Sequence, residues 1–220
     1  MRISDIFYSL QGEGLFAGQP SVFIRLAGCP LRCRWCDTAY AQNALDAEDY
    51  TMQKVLQTVS NWSCGSVVIT GGEPMISPDM PELAKELKAC NKHITIETAG
   101  IVSVTGLACD LMSISPKLSN SKPAGEREPY TDISALRSLA KSYHCQFKFV
   151  IDSENDIAEV QSIVGMLGGI AVQRVFLMPQ AKTRDEFLAK ATIVADLCKQ
   201  SGFSFGQRLH ILLWDGQRGI

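Results

Sequence analysis

Seven short apolar runs recur along the chain, and most of the gaps between them are long enough to hold a helix. The runs are Val22–Ala27, Ser66–Thr70, Ile94–Thr98, Leu111–Ser115, Gln146–Ile151, Val175–Met178 and Leu209–Leu213. Their length and β-branched content predict strands, and their near-continuous apolar character predicts a parallel sheet covered on both faces. The intervening stretches are amphipathic. Thr51–Trp62 sets Val55, Val59 and Trp62 on one side, and Pro81–Ala89 sets Leu83 and Leu87 together. Asp132–Tyr143 carries Ile133, Leu136, Ala140 and Tyr143 at helical spacing, with Asp132 as its N-cap. Asp156–Leu167 and Arg184–Gln200 repeat the pattern, and Gly202 is the natural stop for the last of them. Strand–helix alternation of this length specifies an α/β fold. Periodicity alone does not separate an open sheet from a barrel.

The 220 residues suit a single domain with a sizeable core, and 46% apolar against 20% charged residues is a globular balance. A net charge of −2, with no run of Lys and Arg exceeding two, argues against a nucleic-acid partner. Met1–Ile6 lacks the apolar core of a signal peptide, and no apolar run approaches membrane-spanning length, so a cytoplasmic protein without membrane contact is expected. In that compartment eight cysteines are free thiols rather than disulfides. Cys64, Cys90, Cys109, Cys145 and Cys198 are scattered, mostly in apolar contexts, and read as core thiols. Ser119–Tyr130 is the one long polar connection, either a linker or a lid over a substrate.

Chemically suggestive groups follow the predicted strands directly. They are the segment from Cys29, Thr70-Gly-Gly-Glu-Pro74, Glu97-Thr98, Ser115-Pro116-Lys117 and Met178-Pro179-Gln180. Loops after the C-terminal ends of parallel strands converge on one face, where such folds build their sites. The most telling is Cys29-Pro-Leu-Arg-Cys33-Arg-Trp-Cys36-Asp37-Thr38. Thiolates at C-x3-C-x2-C spacing select zinc, copper(I) or iron–sulfur clusters. A structural zinc site wants four closed ligands, as does an ordinary cluster. Here there are three; Cys64 lies 28 residues past Cys36, and His93, His144 and His210 are all distant in sequence. Three ligands on a four-iron cluster leave one iron open to a substrate, while a zinc knuckle with a remote fourth ligand is the alternative.

This loop resembles the signature of the radical S-adenosylmethionine enzymes. Ser9-Leu10-Gln11-Gly12-Glu13-Gly14 before it, Cys36-Asp37-Thr38 closing it and Thr70-Gly71-Gly72-Glu73-Pro74 downstream resemble the 7-carboxy-7-deazaguanine synthase family, over nearly the whole chain from Ile6 to Ile220. The resemblance implies a partial, modified (β/α) barrel, a single core domain over residues 1–220 whose short terminal extensions close the substrate pocket. It implies that Cys29, Cys33 and Cys36 hold a 4Fe–4S cluster whose fourth iron binds S-adenosylmethionine, the source of a 5′-deoxyadenosyl radical. Trp35, Cys36, Asp37, Gly72, Ser115, Pro116 and Lys117 carry over as cofactor neighbours. Met178, Pro179 and Gln180 match a cofactor-side loop only loosely, because Gln180-Ala181 departs from the family's Glu-Gly. Leu10, Gln11, Gly12, Arg25, Thr70 and the Ile220 carboxylate carry over to the substrate, and Thr38 to a magnesium ion, a metal that needs few protein oxygens.

Arg25 stands inside an apolar run, where a cation needs a partner. An internal ion pair with Glu13 or Glu97 is one reading; the family reading has its planar fork grip a substrate carboxylate. Glu97 is likewise acidic within a strand-like run, which marks it for the pocket, with a catalytic role open. The implied reaction converts 6-carboxy-5,6,7,8-tetrahydropterin to 7-carboxy-7-deazaguanine with loss of ammonia, in the biosynthesis of deazapurines such as queuosine. The implied partners are the small pterin, a reducing electron donor such as flavodoxin or ferredoxin, and a second copy in a homodimer. Two other readings share the cysteine loop: a radical activase acting on a glycine of a partner protein, and a non-enzymatic iron–sulfur or zinc module.

Overall fold

The computed structural model describes residues 1–126 and 130–217. Its centre is one nine-stranded sheet in the order β3-β1-β2-β4-β5-β6-β7-β8-β9. These strands are β1 (Arg2–Leu10), β2 (Pro20–Leu26), β3 (Glu48–Asp49), β4 (Ser66–Gly71), β5 (His93–Thr98), β6 (Leu111–Ile114), β7 (Cys145–Ile151), β8 (Val175–Pro179) and β9 (Ser204–Phe205). From β2 onward every neighbouring pair is parallel. The helices are α1 (Met52–Ser60), α2 (Met80–Ala89), α3 (Ile133–Ser142), α4 (Asp156–Leu167), α5 (Arg184–Ser201) and α6 (Leu209–Trp214). An open, largely parallel sheet with helical crossovers is the partial (β/α) barrel expected from the sequence.

Helix ends follow local chemistry. Thr51 Oγ1 accepts from Lys54 N at 3.2 Å to start α1, and Asp132 Oδ1 accepts from Ser134 N at 2.8 Å to start α3. Gly202 ends α5 in the left-handed region at φ +76°, where a side chain would be strained.

The strands have two different faces. Val22, Ile24, Val67, Ile69, Ile94, Ile96, Met112, Ile114, Phe147, Phe149, Val175 and Leu177 share one continuous core with Val55, Leu83, Leu87, Leu136, Val160 and Val194 of the helices. Each such side chain, fully buried, stabilises the fold by about 1.5–3 kcal/mol. The alternate residues point the other way. The register pairs Arg25 with Thr70, Glu97 with Ser113, and Ser113 with Gln146 across successive strands. Lys148 lies two residues beyond Gln146 on the same face. The sheet is therefore covered by helices on one face only, and the expectation of two covered faces is corrected.

Two further expectations are corrected. No strand is expected before Val22, yet Arg2–Leu10 forms the long β1, antiparallel to β2, with β3 beyond it at the sheet edge. Only Ile3 of β1 is fully buried, so the segment lacks a continuous apolar run and takes its order from pairing with β2. Leu209–Leu213, read as the last strand, is instead most of α6. A five-residue apolar run cannot by itself distinguish strand from helix. Here β9 already occupies the sheet edge, and Leu209 N donates to Gly12 O at 3.0 Å, which turns the chain back over the loop after β1. Leu213 is 50% exposed, as a sheet-centre residue would not be.

Candidate active site

The polar face of the sheet and the loops at its C-terminal edge enclose a cleft of about 570 Å³. Of the residues singled out from sequence, Leu10, Gln11, Gly12, Arg25, Cys29, Cys33, Trp35, Cys36, Asp37, Thr38, Thr70, Gly72, Glu97, Ser115, Lys117 and Met178 all line it. Pro116 and Pro179 are buried behind Lys117 and Met178 and do not line it. Gln180 faces a shallower outer groove shared with Arg34 and Trp35, and its Oε1 accepts from Lys190 Nζ at 2.7 Å. Ile220 lies outside the described residues.

The cysteine loop leaves the end of β2 and is stitched to its surroundings through the backbone. Gly28 N donates to Ala41 O at 2.8 Å, Cys29 N to Gln42 O at 3.1 Å, and Arg34 N to Ser121 O at 2.9 Å. The Gly71-Gly72 pair after β4 makes this stacking possible. Gly72 N reaches Leu26 O and Glu73 N reaches Gly28 O, both at 2.9 Å. A Cβ on Gly72 would collide with the Gly28 carbonyl, so glycine is required by the approach of two backbones. The Glu73 side chain is buried and accepts from Met75 N, Thr98 Oγ1 and Ala99 N, locking this loop to the end of β5. Burial raises the Glu73 carboxyl above its ordinary value, against those hydrogen bonds.

Cys29, Cys33 and Cys36 are free, half-buried and on one wall of the cleft. Burial raises the thiols of Cys29 and Cys33, so they hold their protons until a metal displaces them. Among the described residues, no fourth thiol lines the cleft with them. Cys64 sits at the opposite end of the strands, its Sγ against Pro20 O and Ser66 O. Among the described residues, no three His, Cys, Asp or Glu side chains converge to hold one metal ion. That donor set suits a cubane, which takes one thiolate at each of three separate irons, better than a tetrahedral zinc ion. Thr38 Oγ1 lies 3.7 Å from Cys36 Sγ, also on the cleft wall. A single neutral oxygen fits magnesium, which keeps most of its waters.

The cleft also holds a charge network. Lys148 Nζ, 3% exposed, bridges Glu13 Oε2 at 2.8 Å and Glu97 Oε1 at 2.9 Å. Arg208 Nε bonds Glu13 Oε1 at 3.0 Å, while its Nη2 bonds Asp37 Oδ2 at 2.6 Å and its Nη1 bonds Ala181 O at 2.7 Å. Glu97 also accepts from Gln11 Nε2 at 3.3 Å and Thr70 Oγ1 at 3.1 Å. Burial alone would raise the Glu13 carboxyl, but Lys148 and then Arg208 hold it well below its usual range. Desolvation would lower Lys148, but the two glutamates push it above the ordinary lysine value. The ion-pair reading of Arg25 is thus overtaken, since both carboxylates proposed for it serve Lys148. Arg25 Nε is buried with no hydrogen-bond partner, and the guanidinium lies 5.7 Å from the Phe7 ring centroid and 6.0 Å from that of Tyr40.

Sequence reasoning passed over Lys148, Arg208 and His210, all of which line the cleft. Lys148 carried the same signal as Arg25, a cation inside an apolar run. Arg208 and His210 carried none, because their segment read as a strand. His210 is distant from the cysteines in sequence, but α6 folds it against Gly12, where burial lowers its imidazole below the ordinary value.

A family model for the radical SAM superfamily matches residues 23–117. The 7-carboxy-7-deazaguanine synthase of Halobacterium salinarum is 34% identical, over 98% of this chain and 91% of its own length. That of Pyrobaculum aerophilum is 37% identical, over 100% and 97%. Among solved structures, QueE from Escherichia coli matches with a TM-score of 0.74 at 24% identity, covering 93% of this chain and 92% of that one. TYW1 with a lysine-pyruvate adduct bound matches at 0.56 and 14% identity over 80% and 73%. At such identities the structural likeness speaks for the fold alone.

Proposed function

The chain belongs to the 7-carboxy-7-deazaguanine synthase family of the radical SAM superfamily, and from that premise we propose that its cleft converts 6-carboxy-5,6,7,8-tetrahydropterin to 7-carboxy-7-deazaguanine with release of ammonia. The observation that carries this reading is the pairing of two features in one cleft. Three thiols without a fourth stand on one wall, and an Arg25 fork not taken up by Glu13 or Glu97 stands on the polar face of the sheet.

Cys29, Cys33 and Cys36 hold the 4Fe–4S cluster, with Trp35, Asp37, Gly72, Ser115, Lys117 and Met178 around S-adenosylmethionine. Bound and reduced there, cluster and cofactor supply a hydrogen-abstracting carbon radical. The chain's own part is to place C6 of the pterin against that radical and to exclude competing reactions. Arg25 grips the carboxylate at C6, flanked by Phe7 and Tyr40. Glu97, paired with Lys148, accepts from the pterin's amino edge, and Gln11 and Thr70 are its neighbours there. Thr38 would supply one oxygen to a magnesium ion, which would offset the charge of the substrate carboxylate. Lys148 and Glu13 form a fixed charged floor that needs no reorganisation as the ring contracts.

The test is anaerobic turnover with dithionite, magnesium and the carboxypterin, followed by ammonia release and the absorbance of the deazapurine. Product formed stoichiometrically with ammonia is expected. Reductive cleavage of S-adenosylmethionine with no deazapurine would sink the substrate assignment while leaving the cluster in place.

A further inference from the structure

We infer that Asn120 is a positioning residue for the cluster: its backbone carbonyl and side chain together tie the stretch between Cys33 and Cys36 to the rigid end of β7 and the start of α4. This rests on the cysteine loop holding a cluster, as proposed above.

The cysteine loop contains no regular secondary structure from Ala27 to Asp37. Ordering loop backbone costs about 1–2 kcal/mol per residue, so a loop that must present three thiols at fixed separations needs bracing. The two residues between Cys33 and Cys36 share one acceptor, and Arg34 Nη2 separately bonds Asp152 Oδ2 at 2.6 Å. Arg34 Nε donates to Asn120 O at 2.7 Å, and Trp35 Nε1 donates to the same oxygen at 3.2 Å. Arg34 N donates to the next carbonyl, Ser121 O, at 2.9 Å.

The Asn120 side chain fixes that carbonyl in turn. Its Nδ2 donates to Val150 O at 3.0 Å and to Asp156 Oδ2 at 2.9 Å. The same Asp156 oxygen accepts from Asp152 N at 2.7 Å and Ser153 N at 2.9 Å, so the anchor is itself held by the β7–α4 turn. Ser119 adds a second tie, with Oγ donating to Glu159 Oε2 of α4 at 2.6 Å. The segment that opens the polar 119–130 connection is therefore a brace rather than a linker or a lid.

Asn120 Oδ1 is buried without a hydrogen-bond partner. Leaving such an atom unsatisfied costs about 1–3 kcal/mol. Turning the amide over would set Oδ1 against the Asp156 carboxylate, so the orientation is fixed by the donation to Asp156. An apolar side chain would avoid the penalty. Accepting it makes sense where the amide donor is needed to hold the loop.

The experiment compares the anaerobically reconstituted full chain with Asn120→Leu, which removes the donors at similar volume. It follows iron release to a ferrous chelator, alongside thermal unfolding of the cluster-free chains. Partners that orient metal ligands are typically worth 10–100-fold in metal affinity, so release from the variant should be about 10-fold faster or more. The cluster-free unfolding midpoint should stay where it is. Asn120→Asp should also release iron faster, because two carboxylates then meet and Val150 O loses its donor. Equal release rates for wild type and Asn120→Leu would overturn the inference. So would faster release that only tracks a lowered midpoint. A wild-type chain that takes up no cluster would instead overturn the reading of the cysteine loop, and this inference with it.

Discussion

The two faces of the sheet are built from alternate residues of the same strands, yet they serve opposite ends. On β7, Phe147 and Phe149 point into the apolar core beneath the helices, while Lys148 points into the cleft and Gln146, on the same side of the strand, bonds Ser113 Oγ and Leu15 N. On β2 and β4 the same split sets Ile24 and Ile69 against Arg25 and Thr70. The helix-covered face is held by area: many interchangeable contacts, each worth a few kcal/mol and none chemically special. The cleft face is held by pairing, because every charge brought out of water must meet a partner or a ligand. One face tolerates a lost contact at a cost in stability. The other loses function before it loses the fold.

The widest separation between the faces is expected at the cleft's metal wall. Cys33→Ala should abolish iron retention and turnover, while thermal unfolding of the cluster-free chain stays near wild type; a large fall in unfolding temperature would show that the loop is part of the core. From the opposite face, Phe149→Ala should cost about 3–5 kcal/mol in chemical denaturation. The enzyme that remains folded should keep the wild-type KM, and a raised KM would mean that the faces are coupled.

Arg25→Gln should weaken carboxypterin binding by roughly 10–100-fold, the loss of about 1.5–3 kcal/mol from a charged hydrogen-bonding fork. Denaturation midpoints should move far less than for Phe149→Ala, because among the described residues Arg25 forms no salt bridge and pulls on Asp37 only through space; a drop in stability as large as that of Phe149→Ala would blur the distinction. The acid limb of stability tests the pairing itself. Glu13 is depressed in the folded chain, so its contribution is present above its ordinary value of 4.5 and is lost as pH falls toward the folded value. Glu13→Gln should therefore flatten the fall in stability below pH 4.5, and an unchanged slope would place the acid sensitivity elsewhere. The smallest effect belongs to neither face: Asp132→Ala should cost about 1 kcal/mol through the lost α3 cap, with turnover intact.

Much of this organisation was legible in the sequence. Asp132, Thr51 and Gly202 act locally, through hydrogen bonds or dihedral preferences within a few residues, and the helices they bound lie where the amphipathic spacing puts them. The Cys29–Cys36 loop was legible because its spacing is itself the chemistry. Arg25 and Glu97 stood out as charges within apolar runs, and Lys148 could have been found by the same rule. Gly72 carried over as a cofactor neighbour, and the collision of a Cβ there with the Gly28 carbonyl adds a packing reason that only the neighbouring loop could supply. β1 was missed because a strand with one buried residue has little pattern of its own, and α6 was misread because five apolar residues fit either period.

The sequence by itself determined the strand–helix alternation, the caps and the three-thiol loop, since each is written in residues close along the chain. Only the tertiary structure decided which carboxylate meets which cation. Glu13, Lys148 and Arg208 are separated by 135 residues at one step and 195 at another. Nothing local records such a pairing; it exists because strand register and the return of the C-terminal segment bring the groups to within 3.0 Å, where a buried charge must find its partner.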